Sequence, residues 1–268
     1  MGAVIGALFV YPVKSCRGIP LRKADVEARG LRHDRRWMIV DAGGTVVTQR
    51  GEPRLALVDV ELDEGRGTLL LRAPGQTELR LALAPGSGVK TRVRVWSSEV
   101  EALDVGEEAA RWATALLGAP SSIVFMSDEA DRSVPPRYGQ PTDRVSFADA
   151  FPLLLATRAS LDDLNARLEA PLPMNRFRPN VVVDGCRAWE EDRWRRARLG
   201  EVAVRLPKLC DRCVVTTTDQ LTGERGAEPL RTMATFRRME DGKVYFGANA
   251  IPDGRGHISV GDPFTVLD

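Results

Sequence analysis

Two cysteines close the segment Lys208-Leu-Cys-Asp-Arg-Cys213, and four kinds of chemistry use such a Cys-x-x-Cys pair. A structural zinc needs four ligands, yet the chain holds only two histidines and no second pair of this spacing. A thioredoxin-type dithiol opens a helix after a strand. Here the β-branched run Val214-Val-Thr-Thr-Thr218 predicts a strand instead. Two readings stay open: buried core cysteines, or one thiolate on a redox metal with the other cysteine as a bystander. Arg212, next to Cys213, would favour the thiolate form.

Three further segments could bind an anion. Tyr11-Pro-Val-Lys-Ser-Cys-Arg-Gly18 follows an apolar run, so Lys14 and Ser15 lie at a strand exit where Gly18 permits close backbone approach. It lacks the glycine spacing and Lys-Ser context of a P-loop, and an ordinary exposed loop is the competing reading. Gly30-Leu-Arg-His-Asp-Arg-Arg-Trp37 puts three arginines just before a strand, able to grip a phosphate in bidentate fashion or simply to be solvated. Asn175-Arg-Phe-Arg-Pro-Asn180 alternates Arg176 and Arg178 about Phe177, which at strand spacing puts both arginines on one face.

These segments need elements to hold them. Apolar runs at 4–13, 36–40 and 46–48, with Gly43 and Gly44 between the latter two, predict a strand followed by a hairpin. Alternating runs at 55–62, 68–71, 79–83 and 89–96 continue a β-rich first half. Ala109, Trp112, Ala113 and Leu116 repeat at helical spacing and predict a helix over 107–117, stopped by Gly118 and Pro120. Ser160-Leu-Asp-Asp163 reads as a capping box opening a helix through Leu168. Residues 127–142 show no period and contain Pro-Pro, hence a loop or linker. Strand runs return at 181–183, 198–206, 214–218, 244–246 and 258–267. The fold class is α+β and β-rich, with residues 1–118 and 144–268 as two β-rich domains joined across 119–143.

With 38 Lys plus Arg against 37 Asp plus Glu, the near-neutral charge gives no argument for nucleic acid or an acidic membrane. No apolar stretch reaches the ~18–20 residues of a membrane span, and the N-terminus lacks the basic region of a signal peptide. A cytoplasmic location with reduced thiols is expected. Four cysteines in 268 residues do not make a disulfide scaffold.

Taken in order, the segments resemble the MOSC superfamily over about residues 3–268. The first half is similar to its N-terminal β-barrel domain through Tyr11–Gly18, Gly30-Leu-x-x-Asp34-Arg35-x-Trp37 and Gln49-Arg-x-Glu-Pro-Arg-Leu55. The second is similar to the MOSC domain proper through Arg178-Pro-Asn-Val, Cys210-x-Arg-Cys213, Asp219, Glu228-Pro-Leu-x-Thr, Phe246-Gly-x-Asn249 and Val260-Gly-Asp262. The resemblance implies a molybdenum cofactor, molybdopterin-bound, with Cys213 as protein ligand to the metal. It places cofactor contacts on Lys14, Ser15, Arg35, Arg178, Asp211, Arg212 and Asn249, and leaves Cys210 as a bystander. The implied activity is reduction of N-hydroxylated compounds to amines, with Asp219 as candidate proton source. A carrier of cofactor or sulfur, with Cys213 as persulfide site, is the alternative. No cysteine follows Cys213, so electrons are expected from a separate protein: a ferredoxin, or a flavin- or haem-linked carrier. The other partner is a small-molecule substrate; neither nucleic acid nor membrane is expected.

Overall fold

The computed structural model describes residues 2–86 and 88–268. Strands account for 39% of the residues and helices for 14%, so the β-rich α+β expectation holds. The largest sheet has eight strands, in the order Phe264–Val266, Arg196–Leu199, Val202–Asp211, Tyr245–Pro252, Leu153–Thr157, Val181–Asp184, Val4–Val10 and Ile19–Leu21. It is an open sheet rather than a closed barrel, with Phe264–Val266 and Ile19–Leu21 at its edges. Val181–Asp184 lies inside this sheet and is buried at three of its four residues, which fits its unbroken valine run rather than an alternating one.

The first-half strands do not keep to themselves. Val4–Val10 pairs antiparallel with Val181–Asp184, from Val4 opposite Asp184 to Leu8 opposite Val181. Lys23–Glu27 pairs with Gly256–Ser259. One apolar core therefore draws on both halves: Ile5, Leu8 and Val26 pack with Leu155, Val183, Leu199 and Phe264. A second core is built within the first half. There the helix Glu107–Leu117 buries Ala109, Trp112, Ala113 and Leu116 against Leu69, Leu71, Leu79 and Ile123.

Several local expectations change. Val214–Thr217 is a 3-10 turn, not a strand: the hydroxyls of Thr216 and Thr217 donate to the Cys213 and Val214 carbonyls, giving the backbone a local alternative to a ladder. Pro53–Leu57 is likewise a 3-10 turn, before the strand Asp59–Asp63. Val46 meets Val40 only as an isolated bridge, so the expected hairpin is a single strand, Trp37–Asp41, with a tight return. The second helix runs Arg158–Asn165 and is capped by Thr157, whose hydroxyl accepts the Ser160 N–H. Ser160 does not act as the cap because its hydroxyl donates to the buried Glu191 carboxylate.

Residues 127–142 contain neither helix nor strand, yet arginines pin the segment and the turn after it. Arg36 donates to the Met126 carbonyl and to Asp128. Buried Arg132 donates to the carbonyls of Ser146, Ala148 and Asp149, and Arg205 forms a two-pronged pair with Asp143. This stapling carries Asp149 to the wall of a cleft.

Candidate functional site

The cleft opens between loops of the first half and strand ends of the second. Eight of the nine residues singled out from sequence line it: Lys14, Ser15, Arg35, Arg178, Asp211, Arg212, Cys213 and Asn249. All but Asn249, which lies within the strand Tyr245–Pro252, come from beside a strand end, where side chains escape the ladder without breaking it. Four of the six non-glycine residues with positive φ also line it: Ser15 (68°), Arg35 (49°), Trp96 (55°) and Arg178 (54°). Backbone held in this region is costly and clusters where side chains must be aimed.

One wall is cationic. Arg35 donates to buried Asp34 at 2.5 Å and to the side-chain amide oxygen of Asn180 at 3.0 Å, so its own charge is answered. Arg178 is not answered: among the described residues its guanidinium forms no ion pair. It lies with Arg35 against the Tyr11 ring, each guanidinium carbon 4.3 Å from the ring centre. Burial lowers the Arg178 pKa to about 10, still charged at neutral pH. Lys14 is buried and pairs with Asp149 at 2.5 Å, so it is already neutralised rather than free for a ligand. Burial works against the Asp149 charge, but Lys14 and then Arg50 outweigh it and hold the carboxyl below its ordinary range. The Trp96 indole N–H also donates to Asp149, at 3.1 Å.

The opposite wall carries sulfur. Arg212 donates to the Cys210 sulfur at 2.9 Å and to the Phe177 carbonyl. The Arg212 guanidinium thus meets Cys210, two residues back along the chain. Burial pushes the Cys210 thiol up, against the pull of Arg212. Cys213, half-buried, stands at the start of the 3-10 turn. Asp211 is paired with Lys208 and, at 3.4 Å, with Lys243. Asn249 donates to the Leu209 carbonyl at 3.3 Å, tying neighbouring strands at the cleft floor.

Two expectations fail. Asp219 does not line the cleft. One of its oxygens accepts the N–H groups of Leu221 and Thr222, and the other pairs with Arg176 at 2.8 Å. These contacts, the Leu221 N–H foremost, hold it below the ordinary carboxylate value, which suits an anchor and not a proton donor. Nor do Arg176 and Arg178 share a face. Met174–Arg176 is a 3-10 turn, and the left-handed backbone at Arg178 sends Arg176 to the Thr217 carbonyl and Asp219 and Arg178 to the cleft. Sequence reasoning also missed Thr48, Arg50, Trp96 and Asp149 as lining residues. Trp96 sits in a turn, and Asp149 arrives on the stapled segment. No spacing marks either.

The cleft lining has five cations against two carboxylates, Asp149 and Asp211, and a charged Arg178 with no protein counter-ion. It therefore suits an anionic ligand. Among the described residues no cluster of three or more His, Cys, Asp or Glu could ligate a metal by itself. A metal held here by one thiolate would take its remaining ligands from a bound group. Both properties fit a phosphorylated, metal-bearing cofactor.

Residues 2–120 match the MOSC N-terminal beta barrel domain and residues 142–265 the MOSC domain. Mitochondrial amidoxime-reducing component 1 of Homo sapiens is 35% identical over 280 residues, covering 98% of this chain and 82% of its own. Mitochondrial amidoxime reducing component 2 of Homo sapiens is 35% identical over 277 residues, covering 97% and 82%. Among solved structures, the YUAD protein from Bacillus subtilis aligns over 98% of this chain and 94% of its own, at 10% identity and a TM-score of 0.44, too loose to add to the fold described above. The expected cytoplasmic location is overturned: these relatives are named for the mitochondrion. No helix among the described residues is long and apolar enough to cross a membrane.

Proposed function

This chain belongs to the MOSC family, with the MOSC N-terminal beta barrel domain preceding the MOSC domain, and from that premise we propose that it is a molybdenum cofactor-dependent reductase converting N-hydroxylated compounds to amines. Amidoximes are the first substrate class to test, since the relatives are amidoxime-reducing components; hydroxylamines and N-hydroxylated bases share the N–O bond to be cleaved. The observation that carries the reading is the unanswered Arg178 charge in a cleft that also exposes Cys213.

When bound, the cofactor supplies the two-electron chemistry that removes the N-bound oxygen. The chain's residues do the rest. Cys213 offers the thiolate, a soft donor suited to such a metal. Arg178 and Arg35 hold the cofactor's phosphate as forked donors, Ser15 adds a hydroxyl, and Arg212 and Asn249 hold the strand ends beneath. Lys14 serves through Asp149, whose carboxylate it fixes on the wall. Asp211, clamped between two lysines, keeps the sulfur-bearing strand end in place. Electrons come from a separate carrier protein, of the ferredoxin, flavin or haem-linked kind. Residues 1–118 and 144–268 are proposed as the two domains between which the cleft forms. A persulfide carrier would want its cysteine exposed and mobile, whereas Cys213 is half-buried, which favours the ligand role.

The test is metal and pterin analysis of protein purified from a host that makes the cofactor, beside Cys213→Ala, with turnover of benzamidoxime by a chemically reduced donor. Molybdenum and pterin near one per chain, with turnover lost in the variant, are expected. If neither copurifies, the reading fails.

A further inference from the structure

Tyr11 is buried (2% exposed), and its ring lies against two guanidinium groups at once, Arg35 and Arg178, each 4.3 Å from its centre. Like charges brought this close repel, and in the described structure only Arg35 has carboxylate compensation, from Asp34. A neutral aromatic face provides what a carboxylate cannot: attraction to both cations without consuming the hydrogen-bond donors that a ligand needs. Burial pushes the Tyr11 hydroxyl up to about 12, so it is the ring quadrupole and not a phenolate that faces the arginines.

The surroundings fix this ring from every side. Its hydroxyl donates at 3.1 Å to the carbonyl of Pro179, the residue that follows Arg178. Its backbone N–H donates to Asp34 at 2.9 Å, the partner of Arg35, and its carbonyl accepts the Arg35 N–H at 2.8 Å. Gly18 leaves room for the ring edge, since a Cβ there would stand 2.3 Å from a ring carbon. Both arginines adopt left-handed backbone, φ 49° and 54°, a cost that persists only where surrounding contacts enforce it. We propose that Tyr11 is a positioning residue. Its ring holds Arg35 and Arg178 as a preorganised pair whose free N–H groups take a phosphate-type oxyanion, with Gly18 as the space it requires. This role rests on the anion-binding half of the functional reading and not on the metal.

The test uses the full chain free of cofactor, with inorganic pyrophosphate as probe and calorimetry as readout. Tyr11→Phe keeps the ring and should bind within about threefold of wild type, whereas Tyr11→Leu should weaken binding on the order of tenfold or more, the scale of a desolvated cation–π contact. Gly18→Ala, which crowds the ring without removing it, should weaken binding in the same direction. In wild type the Cδ protons of both arginines should show ring-current upfield shifts that change as pyrophosphate is added, a readout that stands even where a variant does not fold. Equal binding by Tyr11→Leu, equal weakening in Tyr11→Phe, or absent ring-current shifts would each overturn the role. So would failure of wild type to bind pyrophosphate. Pyrophosphate binding with the predicted variant pattern, in a protein with which neither molybdenum nor pterin copurifies from a host that makes the cofactor, would sink the metal reading and leave this one standing.

Discussion

Arg178 carries its charge into a position where no carboxylate among the described residues meets it, and an unpaired, partly desolvated charge costs stability that a ligand can repay. Arg178→Met is therefore expected to leave the cofactor-free protein as stable as wild type, or more stable by up to about 2 kcal/mol, while pterin retention falls sharply. Thermal melts of the cofactor-free protein and pterin content of the purified protein check the two halves. Asp149 is the opposite case. Its native pKa lies below the unfolded value of about 3.9, held there by Lys14 and Arg50 against the partial desolvation of the cleft wall. A depressed acid contributes stability that is complete above the unfolded value and is lost as pH falls through the native one. Wild type should exceed Asp149→Asn by on the order of 1–2 kcal/mol, because 60% of the Asp149 side chain is exposed and screening trims a paired charge. That gap should be flat from about pH 5 to 8 and close below about pH 4; a gap constant into acid would refute the pairing as its source. Lys14, Arg35 and Arg178 were legible beforehand because cationic donors at strand exits announce themselves by type and place. Asp149 was not, since its value comes from partners 135 and 99 positions away, Lys14 and Arg50.

At the scale of elements, periodic segments were readable and segments built on polar contacts were not. The helix Glu107–Leu117 appears with the bounds that its apolar spacing implies, because burial of one stripe is what selects it. The turn Val214–Thr217 runs against its β-branched composition because threonine hydroxyls satisfy its carbonyls locally. The cleft depends on this failure: a strand through 214–218 would have carried the chain straight on from Cys213. The segment from 127 to 149 is the extreme case, ordered by guanidinium-to-carbonyl bonds that leave no period. Arg132 alone answers three carbonyls, and burial holds its pKa down near about 10. Arg132→Met would orphan those carbonyls and is expected to cost about 3 kcal/mol or more. It should also free the wall that carries Asp149. A lowered melting temperature together with new proteolytic nicks within 127–149 is the expected result, against a neutral Arg137→Met control. A variant that melts lower without nicking there would show that Arg132 stabilises something other than this segment.

Across the whole molecule, the two sequence halves share their hydrogen-bond network. Val4–Val10 stands between Val181–Asp184 and Ile19–Leu21 in the eight-stranded sheet, and Lys23–Glu27 completes a sheet with Gly256–Ser259. Without residues 4–27, the second half would expose the apolar edge of Val181–Asp184 and open the core that Ile5, Leu8 and Val26 close; an unprotected edge of that kind invites aggregation. The first half alone would keep its helix-backed core but leave its leading strands without partners. Residues 1–118 and 144–268 produced separately are thus expected to differ: the second insoluble, the first partly folded. Produced together they should associate through the Val4–Val10 ladder and regain pyrophosphate binding, because Arg35 and Tyr11 come from one half and Arg178 from the other. The intact chain should unfold in a single transition with agreeing calorimetric and van't Hoff enthalpies. Two resolved transitions, or a soluble and cooperatively folding 144–268 fragment, would show that the shared sheet is a docking contact between independent bodies and that the cleft can open by separating them.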